Sequence, residues 1–161
     1  MVNLVSFPRS GCHWLMRVIE LCTDRPRMSR NGYALPWYNS KRDPWGVHHH
    51  DYEFVNDSGR IKLLKDELKP EKFSHVIYLH RNPIDTLYSL FEFIDCPQTA
   101  ENIKIASQSY YLHKEKWLGG ADLIPNFLTV RYEDLLDHGC DTMELILDFL
   151  GEDYCRVVAE D

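Results

Sequence analysis

The sequence predicts an α/β domain: a three-layer sandwich with helices on both faces of a central parallel sheet. Three observations carry this. Strand-like apolar runs alternate with helix-period segments along the chain. Two of those runs, at 2–7 and 74–79, feed directly into a short basic turn and a helix start, as strands of a parallel sheet do at their carboxyl edge. No repeat, low-complexity tract or linker divides the 161 residues, so residues 1–161 form a single domain with enough chain to bury a core without staples.

Residues 2–7 read as a buried strand, followed by a Pro-Arg-Ser-Gly turn at 8–11. The helix behind it places Leu15, Val18, Ile19 and Cys22 at i, i+3, i+4 and i+7, one apolar face for the sheet, and Asp24, Arg25 and Pro26 end it. From 25 to 45 the pattern gives way to Arg, Asn, Gly and Pro around Tyr33, Trp37, Tyr38 and Trp45. So long an irregular stretch in a small domain is often a binding loop, and it is expected to hold an acceptor.

A short extended run, 46–52, carries His48, His49 and His50. Alternation puts His48 and His50 on one side and His49 on the other. Metal binding is one reading, but the run has no Cys or carboxylate partner at ligand spacing, so no metal site is expected. A general base working near neutral pH is the other. Residues 59–64 suggest a further short strand, and 66–73 a charged connection.

The second strong strand, 74–79, runs into Arg81-Asn82-Pro83-Ile84-Asp85. Asn82 is a good N-cap, Pro83 suits the first helical position and Asp85 the first turn. Ile84, Leu87, Tyr88 and Phe91 are the expected packing face. Arg81 then lies at the strand's carboxyl end and Ser89 two turns along the helix. A long helix follows from about 99 to 118, with Ile103, Ala106, Tyr110 and Trp117 on one side and Gly119 and Gly120 as its stop. Residues 126–132 form another strand leading into Glu133-Asp134-Leu135-Leu136. Asp141 and Glu144 make a capping-box pair for a last helix that packs Met143, Ile146, Leu147 and Leu150 and stops at Gly151.

The net charge of −7 argues against nonspecific nucleic-acid binding, which needs a broad basic surface. Any anion must be met by a local basic cluster. Five scattered cysteines, Cys12, Cys22, Cys96, Cys140 and Cys155, form no C-x-x-C pair and read as reduced thiols. Arg9 and Arg17 interrupt the one N-terminal candidate for a leader or membrane segment. The expected protein is soluble and cytoplasmic, with no membrane partner. Its oligomeric state is open.

Both loops suit anions. Unpaired N–H groups and the positive dipole end at a helix start bind phosphate or sulfate, and Arg9 adds a bidentate donor. The 8–14 loop is not the magnesium-dependent NTPase loop. That motif needs Gly, four residues, then Gly-Lys-Ser/Thr, whereas Cys12 and His13 follow Gly11 here.

Phe-Pro-Arg-Ser-Gly-Cys-His-Trp at 7–14, Arg-Asn-Pro-Ile-Asp-Thr-Leu-Tyr-Ser at 81–89 and Arg-Tyr-Glu-Asp-Leu at 131–135 together resemble the sulfotransferases that use 3′-phosphoadenosine 5′-phosphosulfate (PAPS). Their order and the spacing from Arg81 to Ser89 both fit, over roughly 2–150. The resemblance implies the P-loop-NTPase-like sulfotransferase fold. It implies that Arg9, Ser10, Gly11, Cys12 and His13 hold the 5′-phosphosulfate, with Arg9 against the bridging oxygen and sulfuryl group. Cys12 and His13 stand where the commonest pattern has two threonines, so backbone amides serve there instead. Trp14 would sit against adenine, Tyr132 would line the adenine pocket, and Arg81 and Ser89 would bind the 3′-phosphate.

The resemblance also implies transfer of the sulfuryl group to a hydroxyl or amine of a small-molecule or glycan acceptor, assisted by a histidine base. His50 is the first candidate and His48 the second. Some members place that histidine after a Lys before the second cofactor strand, and Lys62-Leu63-Leu64 has none. Many members carry a later basic, Gly-rich loop over the 3′-phosphate, and this sequence reaches Asp161 without one, which implies a minimal member with an open cofactor site or a fragment. Two readings compete with the enzyme: a noncatalytic protein binding PAPS or its product PAP, and a small nucleotide kinase, which the degraded NTPase loop disfavours.

Overall fold

The computed structural model describes residues 1–28, 42–65 and 68–152. Five strands form one parallel sheet: β1 (Val2–Ser6), β2 (Arg27–Met28), β3 (Gly46–His49), β6 (His75–His80) and β7 (Asn126–Arg131), in the order β2-β3-β1-β6-β7. A separate antiparallel hairpin joins β4 (Tyr52–Asp57) to β5 (Arg60–Lys65). The helices are α1 (Cys12–Thr23), α2 (Pro83–Ile94), α3 (Ala100–Gly119), α4 (Tyr132–Asp137) and α5 (Gly139–Leu150).

Strand alternation divides the core into two layers. Leu4, Ile77, Leu79 and Val130 face Leu15, Met16 and Ile19 of α1 and Met143, Ile146 and Leu147 of α5. Their neighbours Val5, Val76 and Tyr78 face the opposite way, toward Trp117 of α3 and Ile124. A third cluster packs Phe7 with Tyr52, Phe54 and Ile61 of the hairpin and with Leu90, Phe91, Ala106 and Tyr110. The expected three-layer sandwich is therefore present. Tyr33, Trp37 and Tyr38 of the expected acceptor loop lie outside the described residues. Trp45 does not belong to a ligand surface: it is buried in the α1 layer.

Several expected faces differ. On α2 the buried residues are Thr86, Leu90 and Phe91, with Leu87 partly covered, whereas Ile84 and Tyr88 are exposed. The hairpin and α3 cover one side of this helix, so the face is set by what packs on it rather than by where the apolar residues fall. Ile103 of α3 is likewise exposed, while Asn102, Ser109 and His113 are buried. Asp141 and Glu144 do not cap α5. That helix begins at Gly139, directly after α4, and the Thr142 hydroxyl donates to the Asp134 carbonyl to join the two.

Candidate anion-binding active site

Parallel pairing of β1 with β6 puts their two outgoing loops side by side on one sheet edge. Phe7 anchors the first loop, packed between Phe54 and Tyr110 at ring-centroid distances of 5.4 and 5.1 Å. The chain then turns through left-handed conformations at Arg9 (φ 69°) and Gly11 (φ 90°) and enters α1 with no side-chain cap. The first N–H groups of that helix have no intrahelical acceptor, and the residues that carry them, Cys12, His13 and Trp14, line a cleft. Ser10 is fully buried, and its hydroxyl has no hydrogen-bond partner among the described residues.

The second loop is built as its sequence predicts. The Asn82 side chain accepts from the Ile84 N–H at 2.9 Å, and Pro83 occupies the first turn of α2. Glu133 accepts the Asn82 N–H at 2.7 Å, fastening this loop to the start of α4. Burial works against ionisation of Glu133, yet that hydrogen bond and the Arg131 and His80 charges hold its carboxyl below the usual range. Tyr132 lies where the three motifs meet. The Arg81 guanidinium sits 4.7 Å from its ring centroid, and a Cβ on Gly11 would come within 2.3 Å of the ring.

Between these loops and the hairpin lies a cleft of about 760 Å³, within the usual range of a small-molecule or cofactor site. Arg9, Gly11, Cys12, His13, Trp14, His48, His50, Arg81, Ser89 and Tyr132 all line it. The fold thus brings together all the residues singled out from the sequence except Ser10, which is fully buried and does not line the cleft. Trp14 stands at the rim, 44% exposed. Among the described residues that line the cleft, Arg9, Arg27 and Arg81 stand with one carboxylate, Glu53, while Arg27 also pairs with Glu20 at 3.6 Å, so a chain of net charge −7 presents a local basic site. Lost hydration, then the Arg27 and Arg9 cations, lower the His13 pKa.

The expected histidine alternation is present. Register pairs Leu4 with His48 and Val5 with His49. His49 therefore turns to the α3 layer, where its Nε2 meets Asn3 Oδ1 at 3.1 Å. His48 and His50 share the cleft side, their ring centroids 4.2 Å apart. Ser6, which the sequence reading passed over, organises both: its hydroxyl lies 3.1 Å from His48 Nε2, and its carbonyl accepts from His50 Nδ1 at 3.0 Å. A carbonyl only accepts, so the proton is on Nδ1 of His50. Asp51 follows His50 in the chain but serves the opposite face. It is buried on the other side against Lys116 Nζ at 2.6 Å and Trp117 Nε1 at 3.1 Å.

The sulfotransferase-domain family model matches residues 1–159. The chain belongs to the sulfotransferase family. Among curated sulfotransferases, it is 28% identical to the 3-alpha-hydroxysteroid sulfotransferase of Cavia porcellus, over 92% of this chain and 58% of that protein. It is also 28% identical to human sulfotransferase 2A1, over 94% of this chain and 59% of that one. It therefore spans under two thirds of the length of these relatives. The crystal structure of mouse sulfotransferase SULT7A1 complexed with PAP superposes with a TM-score of 0.61 at 22% identity, covering 97% of this chain and 61% of that one. This likeness establishes the sulfotransferase fold.

Proposed function

We propose that this sulfotransferase-family chain binds PAPS in the cleft and transfers its sulfuryl group to a hydroxyl or amine of a small acceptor. The observation that carries the reading is the pairing of two anion sites on one sheet edge. Loop 7–14 supplies the N–H groups at the start of α1 and Arg9. Arg81 and Ser89 supply a second site at the next loop. A nucleotide with separated 5′ and 3′ anionic groups matches that pair; ATP has no 3′-phosphate for the second.

PAPS supplies an activated sulfuryl group on a phosphate leaving group. The chain's residues do the rest. Arg9 and the first amides of α1 stabilise negative charge that grows on the phosphate side. Tyr132 and Trp14 flank the base. His50, holding its own proton on the Ser6 carbonyl, takes the acceptor's proton at Nε2, with His48 the second candidate. Tyr52, Phe54, Leu90 and Phe93 give the cleft an apolar wall, which with the hydroxysteroid relative favours an apolar alcohol as acceptor.

Calorimetric titration with PAP, beside ATP with magnesium, tests the cofactor. Selective PAP binding that is lost in Arg81→Ala is the expected result. Tighter ATP binding, or none of either, overturns the reading for this chain. His50→Ala should then abolish turnover of a hydroxysteroid and leave PAP affinity within about twofold. Unchanged turnover removes His50 as the base.

A further inference from the structure

We propose that Cys12, His48 and His50 form a binding site for a thiophilic divalent cation of the zinc class in the cleft. One ligand atom of each lies within 4.8 Å of the others. The histidine run has no partner at ligand spacing along the chain, but the fold brings Cys12 to it from the first turn of α1. Cys12 Sγ is 3.8 Å from His50 Nε2. In tetrahedral zinc sites, with bonds of ~2.3 Å to sulfur and ~2.0–2.1 Å to nitrogen, that edge is about 3.6 Å. The edges to His48 are within 4.8 Å, so closing on a metal draws that imidazole in by up to about 1.5 Å.

His50 is already oriented as a ligand. Its Nδ1–H is held by the Ser6 carbonyl at 3.0 Å, the outer-shell bond that fixes metal-ligating imidazoles and leaves the Nε2 lone pair for the metal. That Nε2 is the atom facing the sulfur. Thiolate and imidazole donors select zinc or copper over magnesium and calcium. Three protein ligands leave a fourth coordination position, and His13 Nδ1 lies 3.9 Å from the same sulfur. On binding, the Cys12 thiol gives its proton to solvent and its sulfur bonds the metal as thiolate, so affinity rises with pH. Metal binding stands on this geometry alone. Its consequence, that a bound metal occupies His50 Nε2 and blocks turnover, rests on the sulfuryl-transfer reading.

The test uses the full chain, stripped with a chelator and titrated with Co²⁺, without nucleotide. One equivalent should give a sulfur-to-cobalt charge-transfer band and the intense visible bands of a tetrahedral site, both removed by one equivalent of Zn²⁺. Cys12→Ser should lose the charge-transfer band, and Cys140→Ser, on the exposed thiol, should keep it. His48→Asn and His50→Gln should each weaken Zn²⁺ by more than the roughly 10–100-fold that loss of an outer-shell partner costs. If Cys12→Ser does not fold, these two decide. No saturable thiolate band, the band persisting in folded Cys12→Ser, or undiminished affinity in both histidine variants overturns the site.

Discussion

The Nε–H of Arg9 donates to the hydroxyl of Ser89 at 3.1 Å, linking the first loop to α2 across 80 residues of sequence. The same guanidinium lies 4.7 Å from the Phe93 ring centroid. Two groups proposed for opposite ends of one nucleotide thus hold each other. On the proposed reading, binding exchanges this contact for phosphate oxygens.

Ser89→Ala is expected to weaken PAP about 10–100-fold, the loss of one hydrogen bond to a charged group. Adenosine 5′-phosphosulfate, which has no 3′-phosphate, should bind as before or more tightly, because Arg9 is released. Equal weakening of both ligands in calorimetry would remove Ser89 from 3′-phosphate recognition.

Gly11→Ala should disrupt the site through Tyr132. Its Cβ would meet the ring at 2.3 Å, at a φ of +90° that L-residues rarely adopt. A stability loss of about 1–3 kcal/mol is expected, with PAP affinity down more than tenfold as Tyr132 and its stacked Arg81 shift. Thermal melts and calorimetry read the two effects separately; a variant with native affinity would show that Tyr132 is not needed in place.

Asp51 supports the fold rather than the chemistry. Its carboxylate is 1% exposed and takes Lys116, Trp117 and the Leu68 N–H. Asp51→Ala leaves the Trp117 N–H without its acceptor. With Lys116 partly solvated, a loss of about 2–4 kcal/mol is expected from urea midpoints. Lys116→Met should cost less, because the tryptophan and backbone donors keep the carboxylate.

His113 should make the protein acid-sensitive. Burial, then Lys116 and His50, push its pKa down to about 3, below the ordinary 6.5. The unfolded chain therefore binds a proton that the folded chain refuses between those values. The contribution is full above pH 6.5 and is lost as the pH falls toward 3, by on the order of 1.4 kcal/mol per pH unit. Urea midpoints from pH 7 to 4.5 should fall more steeply in the wild type than in His113→Phe. Parallel profiles would show that another group sets the slope.

Local chemistry wrote the two loops into the sequence. Asn82, Pro83 and Gly11 act within a few residues of themselves, so the caps and turns at 8–11 and 81–85 are legible, as is the alternation that separates His49 from His48 and His50. Distant chain segments decided the rest. Which side of α2 is buried depends on the β4–β5 hairpin and α3, so Ile84 and Tyr88 emerged exposed despite their spacing. Ser6 gained its role only when parallel register set β3 beside β1, and Asp51 found Lys116 and Trp117 more than sixty residues away. The sequence by itself determined the turns and helix starts of the two loops, because caps and tight turns are local. The tertiary structure decided which side chains share the cleft, because pairing and burial are properties of the packed whole.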